Sequence, residues 1–421
     1  MIDVLKQSWA LLLGILLLMV GNGMQGTLLG IRGQIEGIPT FQMSVVMSAY
    51  FAGFLFGSRM VPGLIRNVGH VRVFAALGSL ISAVLILYAT APNWVAWTAM
   101  RVLIGFCFSG VYITAESWLN ASSTNKTRGQ ALSAYMIVQM VGIVGAQMLL
   151  NTADPAGYML FVIPSVLVSI AFTPILLAAT PAPRFDAIER MSFARLFNVS
   201  PLGCVGIFVM GGVFSALFAM ASVWGTNAGH SVREISSFVA AIYVGGLFAQ
   251  YPIGWLSDRM DRRVLILALS IVGGVAMMGV FLTDPPFVVL LVGAAIVGGV
   301  ANPLYSLLLA YTNDFLDLSD MPAASAGLMF INGVGAITGP IVTGWLMAWI
   351  GPNGYFLYLS LLCIGLAGYA LWRMSRRPAM AVEDMGGFAV LSPTATPVAV
   401  EAALEVAYEE LEEAQAGASE D

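Results

Sequence analysis

Charge is what this chain has least of. Lys, Arg, Asp and Glu make up only 10% of its 421 residues, while 59% are hydrophobic. A soluble globular domain carries roughly 25% charged residues and 45–50% apolar ones. The shortage therefore excludes an ordinary soluble enzyme, a nucleic-acid binder and a disordered scaffold. Cysteine is scarce too: Cys107, Cys204 and Cys363 all lie in apolar segments, which leaves no disulfide or metal framework. His70 and His230 fall in separate loops, so no metal cluster is expected. No spacing of nucleophile, base and metal points to catalysis. Neither a cofactor nor enzymatic activity is expected.

What the chain has instead is glycine, methionine and long apolar runs. Runs of roughly 20 residues mark membrane helices. Twelve are predicted, at about 8–30, 42–65, 71–91, 95–118, 129–152, 156–180, 202–227, 235–257, 263–283, 286–312, 324–350 and 353–373. The first is long enough to cross and is read as a span, not as a cleaved leader. A polar stretch over 181–200 parts six spans from six. Four segments follow: a six-helix bundle over 1–180, a linker over 181–200, a second bundle over 201–373 and a tail over 374–421. The tail holds ten acids and two arginines, whereas the rest of the chain holds 16 basic and 13 acidic side chains. Cytoplasmic loops collect Lys and Arg. Fifteen of these residues fall on the side of the termini, Arg32 and Arg233 on the other, and Arg101 within a span. Both termini are thus expected in the cytoplasm.

The two halves carry traces of a repeat. Arg101 to Tyr112 of span four matches Ala294 to Tyr305 of span ten at an offset of 193, which sets Gly105 on Gly298. Gln139 and Gly142 meet Asn332 and Gly335 at that same offset, and the loops after spans two and eight align at 192, placing Arg66 on Asp258. A shared offset in separate helices points to related halves, as transporters carry them.

The segment GWLSDRMDRR, Gly254 to Arg263, resembles the loop signature G-x-x-x-D-R-x-G-R-R of the major facilitator superfamily. It matches at Gly254, Asp258, Arg259, Arg262 and Arg263, and has Asp261 in place of the glycine. Arg101 to Gly105 resembles the family's R-x-x-x-G motif, and Gly333 to Pro340 its glycine-proline motif, which antiporters usually carry in span five. The overall pattern is most similar to bacterial sugar- or drug-type members. The resemblance implies an all-α fold of two pseudo-symmetric six-helix bundles in the inner membrane, rocking about a midplane site. It also implies that Asp258 latches onto the start of span five, near Thr127 to Gly129. The first half departs from the pattern with Arg66 where the acid belongs. The loop before span eleven is in turn acidic, which predicts a reversed latch between Arg66 and one of its aspartates, with Asp320 favoured. Asp320 also suits a helix cap ahead of Pro322.

Ionisable groups inside a membrane are costly and mark function. Two lie well within a span, Arg101 and Glu116, both on span four. They stand roughly 22 Å apart along a helix, too far to touch. Arg101 can serve an anionic group, or it can anchor to Asn22 or Gln25 of span one. Glu116 can carry protons, or it can pair with a loop arginine. Uncharged polar candidates for a substrate site are Asn22, Gln25, Gln139, Asn302, Tyr305 and Asn332, with Tyr112, Gln147, Trp224, Tyr243 and Gln250 as further members.

Glycine pairs Gly53/Gly57 and Gly335/Gly339 predict close helix packing. In the tail, Val400, Leu404, Tyr408 and Leu411 fall at helical spacing beside glutamates, which predicts a short amphipathic helix over 398–415. It is read as solvated, with docking on the basic loops as the alternative. The functional expectation is a monomeric transporter in the bilayer, moving a small molecule in exchange for protons. Efflux of an amphipathic compound is preferred, and uptake of a sugar or small organic anion is the alternative. A transporter-derived sensor or scaffold with the tail as output is a third reading.

Overall fold

The computed structural model describes residues 2–177, 191–317 and 320–376, together with eleven residues of the tail: Met385, Gly386, Phe388, Leu391, Ala395, Thr396, Ala399, Val400, Ala402, Ala403 and Val406. Among the described residues regular structure is helical throughout. The first half holds α1 (Ile2–Ile35), α2 (Thr40–Val68), α3 (His70–Thr90), α4 (Trp94–Ser122), α5 (Asn125–Leu149) and α6 (Met159–Leu177). The second opens with a short α7 (Phe193–Val199) in the expected linker, whose residues 181–190 lie outside the described part. It continues with α8 (Pro201–Ala219), α9 (Ala221–Asn227), α10 (Val232–Ser257), α11 (Arg262–Thr283), α12 (Phe287–Asn313), α13 (Met321–Ile350) and α14 (Gly354–Met374).

Eleven of these helices are long and apolar enough to cross a membrane. The sixth predicted span appears as α6, whose apolar stretch Met159–Pro174 is shorter. The seventh is split between α8 and α9 at Met220. Helix ends follow local chemistry. Asn93 caps α4 by accepting from the Val95 N–H at 2.8 Å, and Ser231 with Glu234 forms a capping box on α10. Gly69, at φ +92°, turns the chain between α2 and α3 where a side chain would be strained.

Four glycines set the repeat in three dimensions. A Cβ on Gly53 would strike the Val102 carbonyl, and one on Gly105 the Tyr50 carbonyl, so α2 and α4 touch backbone to backbone. Gly245 lies on the Ala295 carbonyl and Gly298 on the Ile242 carbonyl, giving α10 and α12 the same contact. Likewise Gly142 meets Leu16 while Gly335 meets Phe208. Gly105 with Gly298, and Gly142 with Gly335, are pairs that the sequence offset aligns.

The bundles meet differently at their two ends. At the end away from the chain termini, Asn227 donates to Thr40 at 2.8 Å and Asn151 to Ser236 at 3.0 Å. Gly30 closes on Ser222 there, and Gly344 on Ser44. At the end that carries the termini, the tail residues lie between the bundles. The tail was expected to be solvated; instead, Leu391, Thr396, Val400 and Ala402 are buried. Ala399, Val400, Ala402, Ala403 and Val406 are helical, while Leu404, Tyr408 and Leu411 of the predicted amphipathic helix lie outside the described residues. The gap between two apolar bundles offers the tail's small residues a drier place than solvent.

A candidate substrate cavity between the bundles

Midway along the bundles, α1, α2, α4 and α5 face α8, α10 and α12 across a cavity of about 970 Å³, counted out to its mouth. Its first-half wall is polar. Arg101, 3% exposed, donates to the Gln25 side-chain oxygen at 2.9 Å and to the Met47 sulfur at 2.9 Å. Gln25 donates to Asn22 at 3.2 Å, and Asn22 to the Tyr112 hydroxyl at 3.2 Å. The chain of bonds thus leaves α4, crosses α1 and returns to α4. The guanidinium also stands 5.3 Å from the Tyr50 ring centre, a cation–π contact. Its Nε has no hydrogen-bond partner among the described residues, and no acid among them lines the cavity.

The opposite wall is aromatic. Phe214, Phe218 and Tyr243 form a run with successive ring centres 4.4 Å apart. Met136, Met140 and Ile143 fill the side between the two walls. The cavity is therefore amphipathic, with one cation on a hydrogen-bonding face and aromatic rings on the other.

Of the eight predicted substrate and coupling residues, the cavity gathers Asn22, Gln25, Arg101, Gln139 and Asn302. Tyr305 is buried on α12 but does not line it, and Asn332 is buried on α13, its carbonyl against Gly211 of α8. Both positions are taken up by helix packing. Glu116 belongs to a second, smaller chamber nearer the termini, lined by Leu132, Tyr135 and tail residues; Met136 and Gln139 border both spaces. Its partners among the described residues are hydroxyls and backbone amides, not an arginine. The carboxylate accepts from the Tyr135 hydroxyl at 3.2 Å and from the Thr396 N–H at 2.9 Å, and from the Thr396 hydroxyl. Of the aromatic wall only Tyr243 is marked by the sequence; Phe214, Phe218 and Tyr50 carry no signal, because Phe or Tyr occurs in every predicted span but the first.

The signature loop is arranged otherwise than expected. Asp258 does not reach the start of α5: it accepts from the Phe388 N–H of the tail at 3.1 Å and lies 3.7 Å from Arg262. Burial lifts its carboxyl above the usual value, against the pull of Arg262. Gly254 packs on the Phe388 ring. Arg259 turns back onto Trp255, 4.3 Å over its ring. Asp261, in place of the usual glycine, caps α11 and binds Arg263 at 2.7 Å. Burial raises the Asp261 carboxyl, but the bonds from Arg263 outweigh that and hold it low. The reversed latch is not made in this arrangement. Arg66 is exposed at the end of α2, and Asp320 binds Arg195 of α7 at 2.5 Å without capping α13 through its side chain. The linker arginine is nearer than the other bundle.

Arg262 is buried and paired with Asp314 at 2.5 Å, and burial pushes the Asp314 carboxyl up. Removing one partner of a buried pair strands the other charge. Asp314→Asn is therefore expected to cost about 3 kcal/mol, read as a lower unfolding temperature of the purified protein.

Comparison with known proteins agrees with this architecture. Residues 202–400 match the Major Facilitator Superfamily, and residues 19–192 match the family described as Sugar (and other) transporter. An uncharacterized MFS-type transporter of Yersinia enterocolitica is 27% identical over 378 residues, covering 87% of this chain and 95% of that protein. The uncharacterized MFS-type transporter YcaD of Escherichia fergusonii is 25% identical over 360 residues, covering 83% and 91%. Among solved structures, a mutant of the nucleoside transporter NupG superposes with a TM-score of 0.74 at 15% identity, over 87% of this chain and 99% of that one. A bacterial homolog to human lysosomal transporter Spinster, inward-facing and unoccupied, gives 0.68 at 14% identity over 97% and 98%. Taken with the twelve-span plan and the signature loop, these likenesses identify the chain as a member of the major facilitator superfamily, a multi-pass membrane transporter working by alternating access.

Proposed function

We propose that the protein exports a small amphipathic compound bearing one anionic group, driven by proton exchange across the bacterial inner membrane. One observation carries the reading. Among the described residues Arg101 is the sole cation on the cavity wall, and no acid in that wall balances it. A buried charge without a counter-ion is costly, and a carboxylate or phosphate on the substrate supplies the missing partner. The aromatic wall suits the apolar part of such a molecule. The end with the termini is placed at the cytoplasm, since the basic residues gather there. An interior-negative potential then favours anion export by about 2.3 kcal/mol per charge per 100 mV.

Glu116 is the buried acid within a span among the described residues, and it is assigned the coupling proton. The test uses proteoliposomes and a panel of radiolabelled aromatic carboxylates with their methyl esters. Acids are expected to be carried at least tenfold faster than esters, and an imposed pH gradient is expected to accelerate them. Glu116→Gln should lose the response to the pH gradient while keeping the response to a potassium diffusion potential. Equal rates for acid and ester would favour a neutral substrate such as a sugar. Flux that ignores the pH gradient would leave uniport, and no flux for any probe would favour the sensor or scaffold reading.

A further inference from the structure

The tail contacts are too specific to be a loose end lying on the bundle. Gly386 is held from both sides: its carbonyl accepts from Arg262, and its N–H donates to Asp314 at 3.1 Å. Further along, the Leu391 N–H donates to the Ser306 hydroxyl at 3.0 Å, while that hydroxyl stands 2.9 Å from the Leu391 carbonyl and donates to it. These anchors all lie on the second bundle. On the first bundle Thr396, fully buried, gives both of its donors to Glu116. Val406 lies against Gly129 at the start of α5.

That course has a mechanical meaning. Asp258 and Gly129 stand at the two places that the superfamily resemblance brings together when this end is shut. Here each is in contact with the tail, Asp258 through the Phe388 N–H and Gly129 through Val406. The smaller chamber is walled by Leu391, Ala395, Ala399 and Ala403, and it shares Met136 and Gln139 with the Arg101 cavity. The tail thus lies across the route from that cavity to the terminal face, with a residue bonded to each bundle.

We infer that the described tail residues between Met385 and Val406 form a built-in plug. They block passage between the cavity and the cytoplasmic face and keep the bundles from closing there, so transport requires the plug to withdraw. Small side chains at Ala395, Ala399, Ala402 and Ala403 let the segment slide without leaving large pockets. The inference rests on reading the Arg101 cavity as the transport site.

Thiol accessibility tests it without any substrate, so a negative flux result and a negative plug result remain separable. The full-length chain carries a reporter, Met140→Cys, on the cavity wall, and a charged methanethiosulfonate is added to inside-out membrane vesicles. With the native tail the reporter is expected to react slowly. Thr396→Glu, which sets a second carboxylate against Glu116, should raise the rate at least tenfold, and so should Leu391→Asp. Equal rates in all three chains overturn the plug. Reaction of the buried Cys107, Cys204 and Cys363 would mark an unfolded variant, in which case the other substitution decides. Independently, Leu391→Cys with Ser306→Cys should form a disulfide under mild oxidation; a pair that never links places the tail elsewhere and overturns the inference.

Discussion

Arg101→Gln is expected to cut transport of an anionic substrate by roughly 100-fold while leaving the protein as stable as before, or more so. The loss follows from charge-assisted hydrogen bonds, worth about 1.5–3 kcal/mol, with each 1.4 kcal/mol amounting to tenfold. The stability follows from the opposite side of the same fact. The guanidinium is buried, its Nε is unpartnered, and it rests on Gln25, Met47 and the Tyr50 ring without a carboxylate. Replacing such a charge by a neutral amide removes a desolvation cost. Arg101→Lys keeps the charge but loses the fork that spans Gln25 and Met47, and should retain about a tenth of the flux. A structural anchor behaves otherwise: its loss lowers the unfolding temperature and spares the anion selectivity. Flux and thermal unfolding on the same preparations separate the two roles.

Gly53→Val and Gly298→Val are each expected to prevent recovery of folded protein. Neither clash is with a side chain that can move aside: a Cβ at Gly53 meets the Val102 carbonyl, and one at Gly298 the Ile242 carbonyl. Relief requires whole helices to separate, so overpacking should cost about 3 kcal/mol or more. Gly279→Val and Gly365→Val are the controls. No neighbour lies within 4 Å of a Cβ at either position, and changes at such open sites usually stay within about 0.5 kcal/mol. The measurement is the yield of monodisperse protein after extraction. Equal yields from the four variants would sink the claim that these contacts hold each bundle together.

Much of this molecule is legible in its residues. Apolar length marks the spans because a bilayer admits a helix only when its backbone is satisfied internally. At the sixth and seventh, the structure has a shorter apolar stretch and a break. The glycines that the sequence offset aligns, Gly105 with Gly298 and Gly142 with Gly335, stand at equivalent close helix contacts in the two halves. Arg101 and its neighbour Gln25 were also readable, because a charge in a span stands out and few groups can reach it.

Partners across the bundle interface were not readable. The sequence names an acid at 258 and another at 320, but a carboxylate accepts from whichever donor is nearest, here the Phe388 N–H and Arg195. Similarly, the amphipathic pattern over 398–415 is the same for a helix in water and for one between two bundles. Composition, apolar period and the signature loop by themselves pointed to a many-span member of the superfamily with a charge inside its fourth span. Only the tertiary structure decided that the cation faces an aromatic wall and that the tail fills the gap at the terminal end. Those outcomes depend on contacts between segments far apart in the chain, and a linear pattern carries no information about which surfaces are brought together.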